Sequence, residues 1–313
     1  MKIKENPEDF IVKEKLKLEI GNGLYAYYIL KKKQWNTLNA VREIAKRLNI
    51  NEKKISYAGL KDKQAITEQY ISILDGRKDY ENVQINDIEL IYVGNGPERV
   101  HLGQLEGNQF EIVVKDAGEA KTRKVMPNYF DEQRFGRENT NATVGKALVQ
   151  KDFKKTCEIL RLDIEENNYI GALQKQGRII KLYFHSYQSK LFNLILSEYI
   201  KKKHKYKEID CGYAQLAFPE EDIKEEIKIP LIHFDMEAEE ELKEIINEVL
   251  IKEGILLKDF VIKQLPELVS QTEYRDGFVE IKNLQIEGAK LKFELQKGSY
   301  ATVAIKTLFL HNL

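Results

Sequence analysis

Tyr57-Ala58-Gly59-Leu60-Lys61-Asp62-Lys63-Gln64-Ala65-Ile66-Thr67 sets one acidic side chain between two lysines, three residues after a glycine. Gly59 permits a tight turn or a close approach of backbone. Cationic neighbours favour the charged form of a carboxyl, so Asp62 is expected to stay ionised with a lowered pKa, as a nucleophile needs. The same residues also read as an ordinary exposed turn, because Asp and Lys are mostly exposed; by themselves they leave both readings open. On the amino side, Asn36 or Thr37 can cap a helix whose Leu38, Val41, Ile44, Ala45 and Leu48 share one face and which stops near Asn49. Further toward that end, Leu16, Leu18 and Ile20 alternate with Lys15, Lys17 and Glu19, Asn22-Gly23 supplies turn chemistry, and Leu24 to Leu30 is strand-like. That pattern predicts a β-hairpin. On the carboxyl side, Gln69 to Leu74, Ile88 to Val93 and Phe110 to Val114 read as further strands, so this part of the chain is α+β, a sheet backed by helices.

Helical spacing takes over from Met126 to about Leu162 and again from Leu182 to Ile200, where Leu182, Tyr183, Leu191, Phe192, Leu194 and Ile195 are expected to form buried stripes. Another helix is predicted from Glu237 to Ile251. Acidic residues crowd Glu220 to Glu226 and Glu237 to Glu244, whereas basic runs lie nearer the amino end, and this shift suggests a second domain in the middle of the chain. Strand character returns at Phe278-Val279-Glu280-Ile281 and in the alternation of Leu291, Phe293 and Leu295, ending in Val303 and Ile305. A sheet opened at one end of the chain and completed at the other is what an inserted domain leaves behind.

With 42% apolar and 32% charged residues over 313 positions, the composition suits a globular, soluble protein and argues against disorder. No apolar run is long enough to span a bilayer, and the first residues lack a secretory signal, so a cytoplasmic setting is expected. Cys157 and Cys211 are the only cysteines and have no zinc-site spacing; the five histidines are scattered. No metal site is expected. Fifty Lys and Arg balance fifty Asp and Glu, so any polyanionic partner must be met by local basic runs such as Lys31-Lys32-Lys33, Lys121-Arg123-Lys124 and Lys201-Lys202-Lys203-His204-Lys205.

Gly59-Leu60-Lys61-Asp62-Lys63-Gln64-Ala65-Ile66-Thr67 resembles the catalytic motif of the TruD family of tRNA pseudouridine synthases. Other stretches follow the same family in the same order: Lys4-Glu5-Asn6-Pro7-Glu8-Asp9-Phe10-Ile11-Val12-Lys13-Glu14, Asn36-Thr37 and Leu102-Gly103-Gln104-Leu105-Glu106-Gly107-Asn108-Gln109-Phe110. Pro127-Asn128-Tyr129-Phe130-Asp131-Glu132-Gln133-Arg134-Phe135-Gly136 is similar to its most specific motif, and Gly298-Ser299-Tyr300-Ala301-Thr302 to its terminal one. Gln188-Ser189-Lys190-Leu191-Phe192-Asn193 and Ile229-Pro230-Leu231 support the middle more thinly. The resemblance departs at Glu106, where the family often has a basic residue, so no phosphate contact is assigned there.

The resemblance implies an α+β catalytic core on a mixed, mainly antiparallel sheet, residues 1–153 and 273–313, interrupted by an α/β TRUD domain at 154–272. It implies that one uridine of tRNA, at position 13, is isomerised to pseudouridine with Asp62 as catalytic carboxylate and with no cofactor. Lys4 resembles an active-site lysine and is the leading partner for Asp62, with Lys61 or Lys63 as alternatives. Phe130 is expected to stack on the extruded uracil, Asn128 to orient Asp62 or the substrate, Phe10 and Glu8 to shape the pocket, and Arg134 to meet a phosphate or form a structural ion pair. A uridine in folded RNA must be flipped from its stack, at a cost of a few kcal/mol, so a cleft is expected, with the Lys201 to Lys207 run facing the RNA. The chain is expected to act as a monomer with no obligatory protein partner. Two other classes are weighed: a non-catalytic RNA-binding or RNA-chaperone protein on the same fold, and a carboxylate-dependent nuclease, which would need a metal-binding acidic cluster.

Overall fold

Residues 10 to 113 lay down six strands and one long helix, and a hairpin close to the carboxyl end completes their sheet. In the computed structural model, which describes residues 1–268 and 272–312, the strands are β1 (Phe10–Lys15), β2 (Tyr25–Lys33), β3 (Ile55–Tyr57), β4 (Ile66–Leu74), β5 (Ile88–Gly96) and β6 (Gly107–Val113). The hairpin Lys282–Glu287 and Lys290–Gln296 pairs through its second strand with β6. From that hairpin the order runs β6, β1, β4, β2, β5, with β3 also on β4; β1 and β4 are parallel, and every other pairing is antiparallel. The sheet is therefore mixed and mainly antiparallel, the class the sequence implies. The two ends of the chain are joined by cross-strand pairs that place Phe110 opposite both Val12 and Phe293, and Ile112 opposite both Phe10 and Leu291. Phe110 stacks on Phe293 and meets Phe10 edge-on, the kind of aromatic pairing that fixes strand register.

Helix α1 (Thr37–Leu48) is capped by the side chain of Asn36, which accepts from the Asn39 amide, and ends at Asn49 in the left-handed conformation. Its Ala40, Val41, Ile44 and Ala45 are buried against Ala26, Tyr28 and Leu30 of β2 and Ile71 and Ile73 of β4. The hairpin expected over residues 15 to 30 is not formed. β1 ends at Lys15 and its neighbours are β4 and β6, whereas β2 lies between β4 and β5. Leu16 and Leu18 instead pack, partly buried, against Tyr27, Ala58 and Val100, so their alternation reflects side-chain burial without strand pairing.

Among the described residues the chain divides into two compact units: residues 1–124, 280–301 and 312, which hold the sheet, and those within 125–279 and 302–311. The segment expected to be inserted, 154–272, lies within the second unit, which starts earlier, at Val125. That unit is built on α5 (Arg178–Lys203), preceded by α2 (Thr140–Val149), α3 (Phe153–Leu160) and α4 (Tyr169–Lys175) and followed by α6 (Glu240–Glu253). The buried side of α5 carries Phe184, Tyr187, Leu191, Phe192, Ile195, Leu196 and Ile200, at helical spacing; Leu182, expected inside, is out of phase and exposed. At Gly145 of α2 a β-carbon would lie 2.2 Å from the Tyr183 carbonyl oxygen, so only glycine permits that approach to α5. Residues 126 to 139, read as helical, form a short strand, Val125–Pro127, and two 3-10 turns. The terminal apolar residues Val303 and Ile305 belong to a helix, α7 (Ala301–Leu308), and not to a strand. Ala304 between them is buried as well, so the apolar residues here do not alternate as they would on a strand.

Candidate active site

Asp62 stands on the connection between β3 and β4, and four hydrogen bonds fix the main chain leading to it. The Ala58 carbonyl accepts from the Gly103 amide at 2.8 Å. Gln69 Nε2 donates to the Gly59 carbonyl at 3.0 Å, the Lys61 amide donates to Thr37 Oγ1 at 2.9 Å, and Lys32 Nζ donates to the Asp62 carbonyl at 3.2 Å. Thr37 Oγ1 in turn donates to Gln69 Oε1 at 2.8 Å. Thr37, Gln69 and Lys32 are all buried, so the loop rests on polar side chains that the sheet and the start of α1 hold rigidly. Neighbouring side chains on this loop diverge. Lys61 turns inward to Glu14 Oε1 at 2.8 Å and Asn108 Oδ1 at 2.7 Å, with 7% of its side chain exposed and none of Glu14's. The Asp62 carboxylate stays accessible, 42% exposed, and its Oδ2 lies 2.6 Å from Lys4 Nζ.

Lys4 is held there by the segment around it. Lys2 and Lys115 exchange main-chain hydrogen bonds, and Lys115 Nζ reaches Asp9 on the 3-10 turn Pro7–Asp9, so the first residues are tied to the sheet. Lys4 adopts φ 61°, a left-handed conformation that L-residues with a β-carbon rarely take. Its ammonium also sits 4.3 Å from the centroid of the buried Phe10 ring, in cation–π range. Lys4, Phe10 and Asp62 are thus one constellation. Glu8, on the same turn, points to Lys33; the hydrogen bond from that ammonium holds the exposed Glu8 carboxyl below its usual range and raises Lys33.

The second unit assembles the remaining residues. Asn128 is buried, donates through Nδ2 to the Asp276 carbonyl at 3.0 Å, and its carbonyl and Oδ1 accept from Arg275 Nε at 3.0 Å and Nη2 at 2.6 Å. The same guanidinium lies 4.1 Å from the centroid of the Phe130 ring, with Arg134 at 5.8 Å and Phe192 edge-on. Asn193 of α5 grips the Phe130 main chain from both sides: Oδ1 accepts from its amide and Nδ2 donates to its carbonyl, each at 2.8 Å. Arg134 Nε donates to Ser189 Oγ at 3.3 Å, and the Arg134 carbonyl accepts from Ser186 Oγ at 3.0 Å. At Gly136, φ is 74° and a β-carbon would lie 2.7 Å from the Asn141 side chain, which accounts for the glycine that closes this motif.

Sequence reasoning missed Lys32, Glu14 and Gln69. The signal was present: each is a polar residue at a core-phase position, Lys32 after Tyr28 and Leu30 on β2, Glu14 after Phe10 and Val12 on β1, Gln69 before Ile71 on β4. Arg275 and Asn193 had no comparable signal for their contacts, since their partners lie far away in sequence. The basic run Lys201-Lys202-Lys203 is occupied by carboxylates: Lys201 pairs with Glu198 and Glu208, Lys202 with Glu248 and Lys203 with Glu241. Among the described residues no group of three or more His, Cys, Asp and Glu side chains could hold a metal ion, and no helix is long and apolar enough to cross a membrane.

A loop-borne carboxylate paired with a lysine, on a mixed sheet completed from both chain ends, is the arrangement that the sequence motifs imply for a pseudouridine synthase. The family model described as tRNA pseudouridine synthase D (TruD) matches residues 1–164 and 159–308. The chain belongs to that family and is an enzyme, a tRNA pseudouridine synthase and so an isomerase. It is 36% identical to a protein of Nanoarchaeum equitans named as a probable tRNA pseudouridine synthase D, over 99% of each chain. A tRNA pseudouridine synthase D of Aquifex aeolicus is 31% identical over 99% of this chain and 98% of its own. Among solved structures, that of a candidate TruD protein from Methanosarcina mazei matches with a TM-score of 0.72 and 25% identity, over 98% of this chain and 93% of that one.

Proposed function

We propose that the enzyme isomerises the uridine at position 13 of tRNA, with Asp62 as the catalytic carboxylate and the target nucleotide flipped out of its stack. The observation that carries this reading is the Lys4–Asp62 pair: an accessible carboxylate, its counter-ion at 2.6 Å, on a loop whose main chain is fixed from beneath. Pseudouridine formation breaks the bond from C1′ to N1 and joins C1′ to C5 of the same uracil, so nothing is oxidised or reduced and no cofactor is called for. A carboxylate can begin that by adding to C1′, by adding to C6 of the ring, or by removing a ribose proton to give a glycal. All three need the same thing, an ionised and positioned Asp62.

Lys4 supplies the positive charge that holds Asp62 in place, and Phe10 forms the apolar wall behind the pair. Glu8 borders the same pocket. Lys61 serves the site from below, by bracing the loop on Glu14. Phe130 is the platform for the flipped uracil; aromatic stacking on a base is worth about 1–3 kcal/mol, which offsets much of the cost of unstacking it. Asn128 and Arg134 complete that second group, one orienting the substrate and the other meeting a phosphate. In this reading residues 154–272 form the tRNA-facing TRUD domain, and the enzyme works in the cytoplasm as a monomer. An unmodified tRNA transcript treated with the enzyme and then carbodiimide should show a primer-extension stop reporting pseudouridine at position 13, absent from a transcript with cytidine there. A stop only at other uridines would refute the assigned position.

A further inference from the structure

Lys32 is a buried ammonium, 1% exposed, whose two hydrogen-bond acceptors are both main-chain carbonyls: Trp35 at 2.5 Å and Asp62 at 3.2 Å. Leucine or methionine would fill a core-phase strand position at far less cost, because burying a charge without a carboxylate partner is unfavourable. What the ammonium provides there is a grip on the peptide that carries Asp62 and a fixed positive charge near its carboxylate. We propose that Lys32 is a positioning residue of the isomerisation, holding the Asp62 main chain and adding a second cation to that of Lys4. This inference rests on Asp62 being the catalytic carboxylate.

The environment of Lys32 makes the role dependent on pH. Burial lowers its pKa from 10.5 to about 8; the Asp62 carboxylate opposes that shift and Lys61 adds to it. Lys32 also lines a surface hollow whose other charged groups are Lys31 and Lys33 on its own strand, Asp87 just before β5 and Glu89 on β5. Below about pH 8 the ammonium is charged and the grip is complete; as pH rises through about 8 the charge is lost. Stability moves the other way. Between about 8 and 10.5 the unfolded chain keeps a proton that the folded one has released, so the contribution of this group to folding stability rises with pH. Activity and stability therefore part company on the alkaline side, which a purely structural lysine would not cause.

The test is kcat and KM on a tRNA transcript from about pH 6.5 to about pH 9.5, with thermal melting over the same range, for wild type, Lys32→Met and Asp62→Asn. The expected result is a wild-type kcat that falls with a midpoint near 8 while KM holds and the melting temperature does not fall with it. In Lys32→Met, kcat at neutral pH should drop on the order of ten- to a hundredfold and show no limb near 8. A wild-type kcat that is level through that range overturns the inference whether or not the variant folds, as does a Lys32→Met enzyme with the wild-type rate and profile. If Asp62→Asn is inactive in either case, only the role of Lys32 is lost. Full activity of Asp62→Asn removes the catalytic reading and this inference with it.

Discussion

Lys61 and Asp62 are consecutive residues of opposite charge whose side chains take opposite directions. Lys61 spends its charge on Glu14, inside the sheet, and Asp62 keeps its carboxylate accessible beside Lys4. The motif singles out Asp62, yet nothing in Lys-Asp-Lys says which lysine turns inward; the buried acid on β1 decides that. A buried pair broken on one side leaves an uncompensated charge, which costs roughly 3–5 kcal/mol. Glu14→Gln should therefore lower stability by about that amount in urea unfolding, and adding Lys61→Met should recover most of the loss, because the stranded charge is then gone. If the double variant is as unstable as the single one, Lys61 does more for the fold than neutralise Glu14. Arg275 was illegible for a different reason: it binds Asn128 across 147 positions of sequence, and only the pairing of Tyr274–Asp276 with Lys228–Pro230 builds the strand that presents it.

Helix α5 positions the Phe130 segment, which has no regular structure of its own, through one asparagine. Asn193 is buried and its amide matches both polar groups of the Phe130 peptide, so the ring is aimed by the helix. Replacing Asn193 by Ala should cost roughly 1–3 kcal/mol for each buried group left unpaired, and should reduce kcat on tRNA beyond what lost stability explains, when assayed well below the melting temperature. A variant that melts early but turns over normally would show that Phe130 does not need this grip. Helix α1 was legible in the sequence because its amphipathic period is strong, and α5 and α6 because their apolar residues recur at helical spacing, although the phase of α5 was misjudged at Leu182. The hairpin over residues 15 to 30 and the terminal strand were misread because short apolar runs obey both periods; Leu16 and Leu18 are partly buried without pairing, and Val303 and Ile305 flank a buried Ala304 within a short helix.

Taken whole, the chain carries each group of proposed site residues within one compact unit: Lys4, Phe10, Asp62 and their supports in the unit that holds the eight-stranded sheet, and Asn128, Phe130, Arg134 and Arg275 in the unit built on α5. The family and the sheet class could be read from the sequence, since they depend on local pattern and on motif order. The boundaries of the units could not, because they depend on which distant segments pack together, and residues 302–311 return to the second unit after the sheet is complete. In the proposed mechanism the activity of the whole rests on one carboxylate, that of Asp62. Release of tritium from tRNA labelled at C5 of uridine measures its work without reference to position, since C5 exchanges its hydrogen for the new bond to C1′. Wild type should release one equivalent per tRNA, and Asp62→Asn, folded and still binding tRNA, should release none above background; release by Asp62→Asn at the wild-type rate would contradict the account.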